Sequence, residues 1–214
     1  MRHLRLLLAA STTVLPVFAT HGQATVVPPA RVGVTVGINS STLSGDNAGE
    51  TSRRTGFIGG AFVVIPATPA FSFQPELLFT MKGAKTSEQG ITGTLKLNYL
   101  EIPVLGRFDI PVASGVKPFV YAGPAISFNL SCTAQVSGSG INISGDCEDE
   151  DTGESVKKVD YSGVIGGGFA FGVSGHTVTI GARYTHGFAS IGENGDAKNR
   201  TFSLLASLEF PWPK

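Results

Sequence analysis

Two cysteines are the first residues of this chain whose types and spacing could do chemistry. Cys132 and Cys147 are its only cysteines, and an even count favours a disulfide if the protein is exported. A zinc site would need more ligands near this pair, but His176 and His186 lie far along the chain. We therefore predict a disulfide between Cys132 and Cys147 and no metal site.

A run of acidic residues surrounds Cys147. Calcium binds several oxygen ligands, so this run could form a cation site. It lacks the ligand spacing of a known calcium loop, however, and an acidic loop in contact with solvent is the favoured interpretation. The run consists of Asp146, Glu148, Asp149, Glu150, Asp151 and Glu154.

His186 could act as a general base if it lay beside carboxylates at the rim of a membrane protein. It shares its parity with Tyr184 and Phe188, so we expect it to face outward near lipid headgroups, and no serine or aspartate visibly pairs with it. Gly166-Gly-Gly168 lies within a strand pattern, whereas a phosphate-binding loop needs a helix to follow it. Such glycines make room for large neighbours or let the strand bend. We predict no catalytic residue and no cofactor.

The elements that position these residues begin after a predicted export signal. Arg2 and Arg5 precede a short apolar segment, residues 6–18, and small residues follow it. This segment is too short for a membrane anchor, which needs roughly 20 residues. Without the signal the net charge changes from 0 to −2, and nothing in this balance indicates a nucleic-acid partner. The predicted boundaries are a signal peptide over residues 1–24 with cleavage after Ala19 or Ala24, a linker over residues 25–29, a folded domain over residues 30–210 and a tail over residues 211–214.

Alternation of apolar and polar residues dominates the rest of the chain. In residues 71–82 one parity is apolar and the other is largely polar, as in a strand that separates two environments. Similar segments recur to the end of the chain, although residues 55–65 are apolar on both parities. Residues 85–93 and 131–157 are predicted loops, and Pro103 predicts a nearby β-bulge because proline cannot donate to the ladder. The eight predicted strands are residues 31–39, 55–65, 71–83, 94–109, 117–130, 159–173, 177–189 and 201–210.

Eight long strands after an export signal predict an all-β fold, an eight-stranded antiparallel up-and-down transmembrane β-barrel. The connections alternate between long and short, as in outer-membrane barrels, so both termini should be periplasmic in a Gram-negative cell. A soluble lipocalin-like cup is the alternative, with its apolar side chains inside and its polar side chains on the surface. The polar set is mostly Gly, Ser and Thr with few charges, which suits a crowded lumen better.

Five ionisable residues have the inward parity of this barrel. The favoured interpretation is a structural cluster of ion pairs that fills the lumen, and the functional alternative is a gate or a proton-sensitive plug. If the turn between the third and fourth strands centres on residues 88–89, Glu76 lies opposite Glu101, and Arg183 could bond both acids. We predict that these three residues meet. The full set is Glu76, Glu101, Arg107, Arg183 and Glu209.

Three segments resemble the PorT-like outer-membrane β-barrel family of Bacteroidetes-type bacteria. The likeness spans roughly residues 30–210, and the three segments together are more specific than any one of them. The resemblance implies an OmpX-like eight-stranded barrel and says little about activity. The segments are Gln74-Pro-Glu-Leu-Leu-Phe-Thr-Met-Lys-Gly83, Leu97-Asn-Tyr-Leu-Glu-Ile-Pro-Val-Leu105 and Lys117-Pro-Phe-Val-Tyr-Ala-Gly-Pro124.

An eight-stranded barrel is just wide enough to be filled by its own side chains, which argues against an open pore. We therefore expect a monomeric integral outer-membrane protein with a structural or surface-interaction role through its extracellular loops. The alternatives are a narrow channel or a component of a secretion machinery, and after these an enzyme at the rim. The expected partners are outer-membrane lipid, the barrel-assembly machinery and an extracellular or secretion partner that the sequence does not identify.

Overall fold

The computed structural model describes residues 26–45, 51–113, 115–138, 140–147, 156–192 and 196–212. The predicted signal peptide, residues 1–24, lies outside these ranges. None of the described residues forms a helix long and apolar enough to cross a membrane. The described chain forms nine strands: β1 (Arg31–Ser44), β2 (Ser52–Pro66), β3 (Phe71–Glu88), β4 (Ile91–Asp109), β5 (Val116–Gly138), β6 (Ile141–Asp146), β7 (Val159–Val173), β8 (His176–Gly187) and β9 (Lys198–Pro211).

Eight of these strands close into a ring, and all pairings are antiparallel. The order is β4-β3-β2-β1-β9-β8-β7-β5, and β4 pairs with β5 to close it. The first and last strands pair along their full length, from Arg31 opposite Pro211 to Ser44 opposite Lys198. The predicted all-β, eight-stranded up-and-down barrel is therefore confirmed. The remaining strand, β6, lies outside the ring and pairs with the C-terminal part of β5.

The two ends of the barrel differ in their connections. Residues 67–70, 110–115 and 174–175 join strands at one end, which we call the turn end, where β1 also begins and β9 ends. The other end, the loop end, carries the connections between β1 and β2, β3 and β4, β5 and β7, and β8 and β9. Three of the four connections at the loop end are longer than any at the turn end, whereas β3 and β4 are joined by only two residues. Longer loops at one end and short turns at the other are typical of outer-membrane barrels.

The outward face of the barrel carries a band of aliphatic side chains between two rows of aromatic ones. Tyr161 and Phe169 on β7 are eight residues apart, and so are Phe202 and Phe210 on β9. Eight residues of tilted strand span roughly 20 Å, close to the height of a lipid-facing band. The loop-end row is Phe57, Phe128, Tyr161, Tyr184, Phe188 and Phe202; the turn-end row includes Phe73, Phe108, Phe169 and Trp212; between them lie Val34, Val36, Ile38, Leu77, Val104, Val120, Ile165, Ile180 and Leu204.

The strands extend beyond the predicted ones at the loop end, and two predicted loops are therefore wrong. Residues 85–93 are not a loop, because β3 and β4 continue to a two-residue turn at Gln89-Gly90, where both residues have positive φ, 47° and 82°. This is the geometry of a tight hairpin turn that matches strand twist. Residues 131–157 are only partly irregular, because β5 runs to Gly138 and β6 pairs back onto it.

These extensions form a sheet that projects from the barrel, which we call the fin. It consists of residues 84–88 of β3, 91–97 of β4, 132–138 of β5 and all of β6. Beyond Phe128, β5 continues for ten residues, roughly 30 Å of strand length. The fin therefore extends well past the loop-end row of aromatic residues.

Two further predictions are settled by the strand pairings. The predicted bulge near Pro103 is at the wrong position, because the shift in register between β4 and β5 falls between Asn98 and Tyr99. The faces of β2, which alternation left open, are now defined: Ile58 and Phe62 are buried in the lumen, whereas Phe57 is exposed on the wall.

A charge in the middle of the lipid-facing band should be costly. Ile165 lies midway between Tyr161 and Phe169 and is 60% exposed. Ile165→Arg should lower the free energy of unfolding by roughly 2–4 kcal/mol, because arginine would meet the bilayer midplane. Leu130→Arg, a matched change two residues beyond Phe128, should cost no more than about 1 kcal/mol. Urea titration in lipid vesicles measures both, and equal losses would contradict a lipid-facing band.

Candidate functional site

The inward faces of the eight barrel strands bring together three groups of polar side chains. The turn-side cluster is Arg31, Arg107, Asp109 and Glu209. The middle pair is Glu76 and Arg183. The loop-side cluster is Lys82, Glu101, Ser127, Asp160 and Asn199. Each group gathers residues from several strands, because strand alternation turns one side chain in two toward the axis of the barrel.

In the turn-side cluster two arginines share one glutamate. Glu209 on β9 accepts a bond of 2.7 Å from Nε of Arg31 and one of 2.8 Å from Nη1 of Arg107. Nε of Arg107 also donates to Oδ1 of Asp109 at 3.0 Å. The guanidinium of Arg107 lies 4.2 Å from the centre of the Phe119 ring, a cation–π distance. Two arginines and two carboxylates therefore balance each other in charge.

The middle pair lies deeper in the lumen. Nη2 of Arg183 is 2.8 Å from Oε1 and 2.7 Å from Oε2 of Glu76. Arg183 also donates to the hydroxyl of Tyr121 at 3.3 Å. Gln74 connects this pair to the turn-side cluster, because its amide donates to Glu76 at 2.7 Å and accepts from Arg107 at 3.3 Å. One continuous polar network thus joins two levels of the barrel.

Gly166 makes room for the middle pair. It faces the lumen, opposite Tyr121 on one neighbouring strand and Arg183 on the other. A Cβ atom at this position would lie 2.6 Å from the Tyr121 ring. The glycine therefore allows the ring to lie against β7 with Arg183 only 5.2 Å from the ring centre. A large neighbour explains this glycine, as the sequence indicated, without any phosphate loop.

The loop-side cluster contains an ion pair of a different composition. Nζ of Lys82 lies 2.5 Å from Oε2 of Glu101, which also accepts from Ser127 at 3.3 Å. Nearby, the amide of Asn199 donates to Oδ2 of Asp160 at 2.9 Å. This cluster has one lysine for two carboxylates, so its side chains do not balance in charge.

The predicted meeting of Glu76, Glu101 and Arg183 is correct for Glu76 and Arg183, which form an ion pair, and wrong for Glu101, which pairs with Lys82. The turn between β3 and β4 is at residues 89–90, so Glu101 lies opposite Leu78 and not opposite Glu76. This shift of two residues keeps both acids facing inward but gives each its own cation. Lys82 is the cation that sequence reasoning missed, although its inward parity and its charge were both visible.

Ionisable and aromatic side chains fill the lumen at all three levels. Arg107, Glu76, Arg183, Glu101 and Lys82 are each at most 5% exposed. Between the turn-side cluster and the middle pair lies a cavity of about 20 Å³, room for roughly one water molecule. A vestibule of about 590 Å³ opens at the turn end, and Arg31, Arg107 and Lys117 are among its lining residues.

The predicted disulfide between Cys132 and Cys147 is confirmed. It joins β5 to the residue that follows β6, across a sequence separation of 15. The backbone N–H of Cys147 also donates to the carbonyl of Cys132 at 3.2 Å. Within the fin, the bridge therefore fastens the end of β6 to β5. Of the acidic run, only Asp146 is described; residues 148–154 lie outside the described ranges.

His186 faces outward, on the same side of β8 as Tyr184 and Phe188. Its ring centre is 5.4 Å from that of Phe188 and 6.2 Å from that of Tyr184. Its polar contact is with Arg200 on β9. The described geometry thus gives His186 a cation as its neighbour.

The sequence matches one protein family over most of its length. The family is described as outer membrane protein beta-barrel domain, and the match covers residues 23–193. This chain belongs to that family. Membership in the outer-membrane barrel family places the protein in the outer membrane of a Gram-negative bacterium. The barrel continues beyond the matched residues, through β9 to Pro211.

Solved structures of other outer-membrane barrels have the same fold. Neisserial surface protein A is 15% identical over 85% of this chain and 97% of that protein, with a TM-score of 0.50. The outer membrane protein OprG from Pseudomonas aeruginosa is 8% identical over 87% of this chain and 98% of that protein, with a TM-score of 0.51. At these identities the likeness establishes the fold alone. No match was found among curated proteins.

Breaking the middle pair of this outer-membrane barrel should be costly. Arg183→Met should lower the free energy of unfolding by roughly 3–5 kcal/mol, because Glu76 would be left as a buried charge without a cation. Changing Glu76→Gln as well should restore part of that loss. Unfolding in lipid vesicles measures both variants, with Arg53→Met as the exposed control. A double variant less stable than Arg183→Met would show that the two side chains do not compensate each other.

Proposed function

We propose that this protein is a monomeric outer-membrane barrel that conducts no solute and displays the fin at the cell surface as an interaction element. The observation that carries the proposal is the contrast between its two parts. The lumen is filled by ion pairs at three levels, whereas the fin exposes an unpaired strand edge and apolar side chains. The barrel then acts as an anchor, and the fin is the part available to a partner.

The filled lumen supports a role other than conduction. Ion pairs with atoms within 3 Å of each other cross the lumen at each level: Arg107 with Glu209, Arg183 with Glu76 and Lys82 with Glu101. A solute would have to separate these buried pairs, and unpairing a buried charge costs several kcal/mol. The alternative of a narrow channel is therefore disfavoured.

The orientation follows from the connections. In outer-membrane barrels the short turns are periplasmic and the longer loops are extracellular. By this rule the turn end, with the start of β1 and the end of β9, faces the periplasm, and the fin faces outside. The oxidised pair Cys132–Cys147 lies in the fin, at the end proposed to be extracellular.

The fin has the two features with which a sheet binds an extended segment of another protein. Among the described residues nothing pairs with the outer edge of β6, which ends the sheet, and a free edge can pair with a further strand. The lumen-side face of the fin is apolar, and Ile91, Val136, Ile141 and Ile143 are 47–66% exposed on it. A groove of about 300 Å³ adjoins this face, between Leu43, Leu95 and Ala134.

Three further assignments belong to the proposal. Membership in the PorT-like group rests on the three sequence segments that resemble it. The proposal that the protein is not an enzyme is supported by the surroundings of His186, whose polar partner within the described ranges is Arg200. The barrel-assembly machinery is proposed as the partner that inserts the barrel.

Conduction provides the first test of this function. The purified, oxidised protein in planar bilayers should give no conductance steps, because the ion pairs close the lumen. A general porin in the same bilayer serves as the positive control. Reproducible ohmic steps that require the folded protein would instead favour the narrow channel.

Surface display provides the second test. Ser144→Cys on β6 should react with a membrane-impermeant maleimide in intact cells, because the fin is proposed to be outside. Thr68→Cys, in a turn at the opposite end, should react only after the outer membrane is disrupted. The reverse pattern would overturn the orientation, and with it the role of the fin.

A further inference from the structure

A basic cluster, formed by His186, Lys198 and Arg200, lies on the outer wall of the barrel just beyond the loop-end row of aromatic residues. Tyr184 on β8 pairs with Phe202 on β9, and the next outward-facing pair is His186 with Arg200. Lys198 occupies the following outward position on β9, opposite Ser44 of β1. Arg200 and His186 therefore occupy the first outward positions beyond the aromatic row, and Lys198 occupies the second.

The geometry of this cluster is built by neighbouring side chains. Nε of Arg200 donates to the hydroxyl of Ser44 at 2.8 Å, which holds the guanidinium against the wall. The guanidinium also contacts the nitrogens of the His186 ring, and this ring packs against Tyr184 and Phe188. The charges that act on His186 are those of Arg200 and Lys198, both positive.

The cluster is a local feature of β8 and β9. The outward residues that follow the aromatic row on β1, β4 and β5 are Thr42, Asn98 and Leu130, and none of them is charged. The carboxylate of Asp196 lies beside Gly45, the residue after Ser44, so one acidic side chain adjoins the cluster on its β1 side. A positive patch beside an apolar wall can attract an anion by charge complementarity.

We propose that Arg200 and His186 bind the phosphate monoester of a membrane lipid headgroup, with Lys198 adding to the positive potential. A guanidinium matches phosphate with two parallel hydrogen bonds. The wall directly below is apolar and exposed, at Leu204 and Ile180, so acyl chains attached to the phosphate can pack there. This apolar wall is the reason to assign a lipid and not a soluble phosphate.

The inference rests on the proposed orientation, because that orientation puts the cluster in the outer leaflet. Binding in detergent does not depend on orientation, however, so the two can fail separately. The maleimide experiment decides the orientation, and lipid binding by the purified protein decides the site.

Native mass spectrometry of the full-length, oxidised protein in nonionic detergent tests the site. The probes are dioleoyl phosphatidic acid, which has a phosphate monoester, diacylglycerol with the same chains and no phosphate, and inorganic phosphate. The wild type should bind phosphatidic acid more tightly than either other probe. Arg200→Gln should bind phosphatidic acid roughly five- to tenfold more weakly, as expected for the loss of one cation at a charged interface. His186→Gln should also bind it more weakly, because the variant lacks the ring N–H that donates to phosphate.

Arg53→Gln provides the matched control, because Arg53 is an exposed arginine at the loop end of another strand. It should change binding less than twofold, and heat-dependent gel mobility checks that every variant is folded. Equal effects of Arg200→Gln and Arg53→Gln would overturn the site. Equally tight binding of diacylglycerol would overturn the role of phosphate, and equally tight binding of inorganic phosphate would overturn the assignment to lipid.

Discussion

Closure of the backbone ladder is the constraint on which the rest of this structure depends. No water reaches the bilayer core to bond a free N–H or C=O group, so a sheet in the membrane must have no open edge. The pairing of β1 with β9, continuous from Arg31 to Ser44, removes the last edge. Once the ring is closed, each strand has one face toward lipid and one toward a narrow lumen. The two-residue alternation of the sequence follows directly from that geometry.

The closed ring creates a second demand, because the lumen of eight strands has little room for water. Polar side chains that face inward must therefore bond to each other. Glu209 is bonded by two arginines, Glu76 by Arg183 and Glu101 by Lys82. Aromatic rings and glycines complete the packing, as where Gly166 leaves space for Tyr121. The ion pairs that hold the lumen together are the same contacts that close it to solutes.

Outside β2, alternation was sufficient to predict which side chains face inward, but not which of them touch. The lipid demands an unbroken apolar face, so the inward positions of Glu76, Glu101 and Arg183 could be read from parity alone. Contact depends on register, and register depends on where each hairpin turns. The β3–β4 turn lies one residue further along the chain than predicted. As a result, Glu101 lies opposite Leu78 and not opposite Glu76. Lys82 was missed because the predicted register placed no acidic residue near it.

The same reasoning explains why the fin was taken for loops and why it differs from the barrel. Beyond the aromatic row there is no lipid, so a strand no longer needs a continuous apolar outward face. Lys85, Ser87 and Thr92 are polar residues that still pair in β3 and β4, and their polarity concealed the strands. Release from the membrane also permits what is forbidden within it, an unpaired edge on β6 and charged side chains on the wall at Arg200. The free edge of β6 and the charged wall at Arg200, the features available for recognition, therefore lie beyond the aromatic row, where the sheet no longer has to be closed.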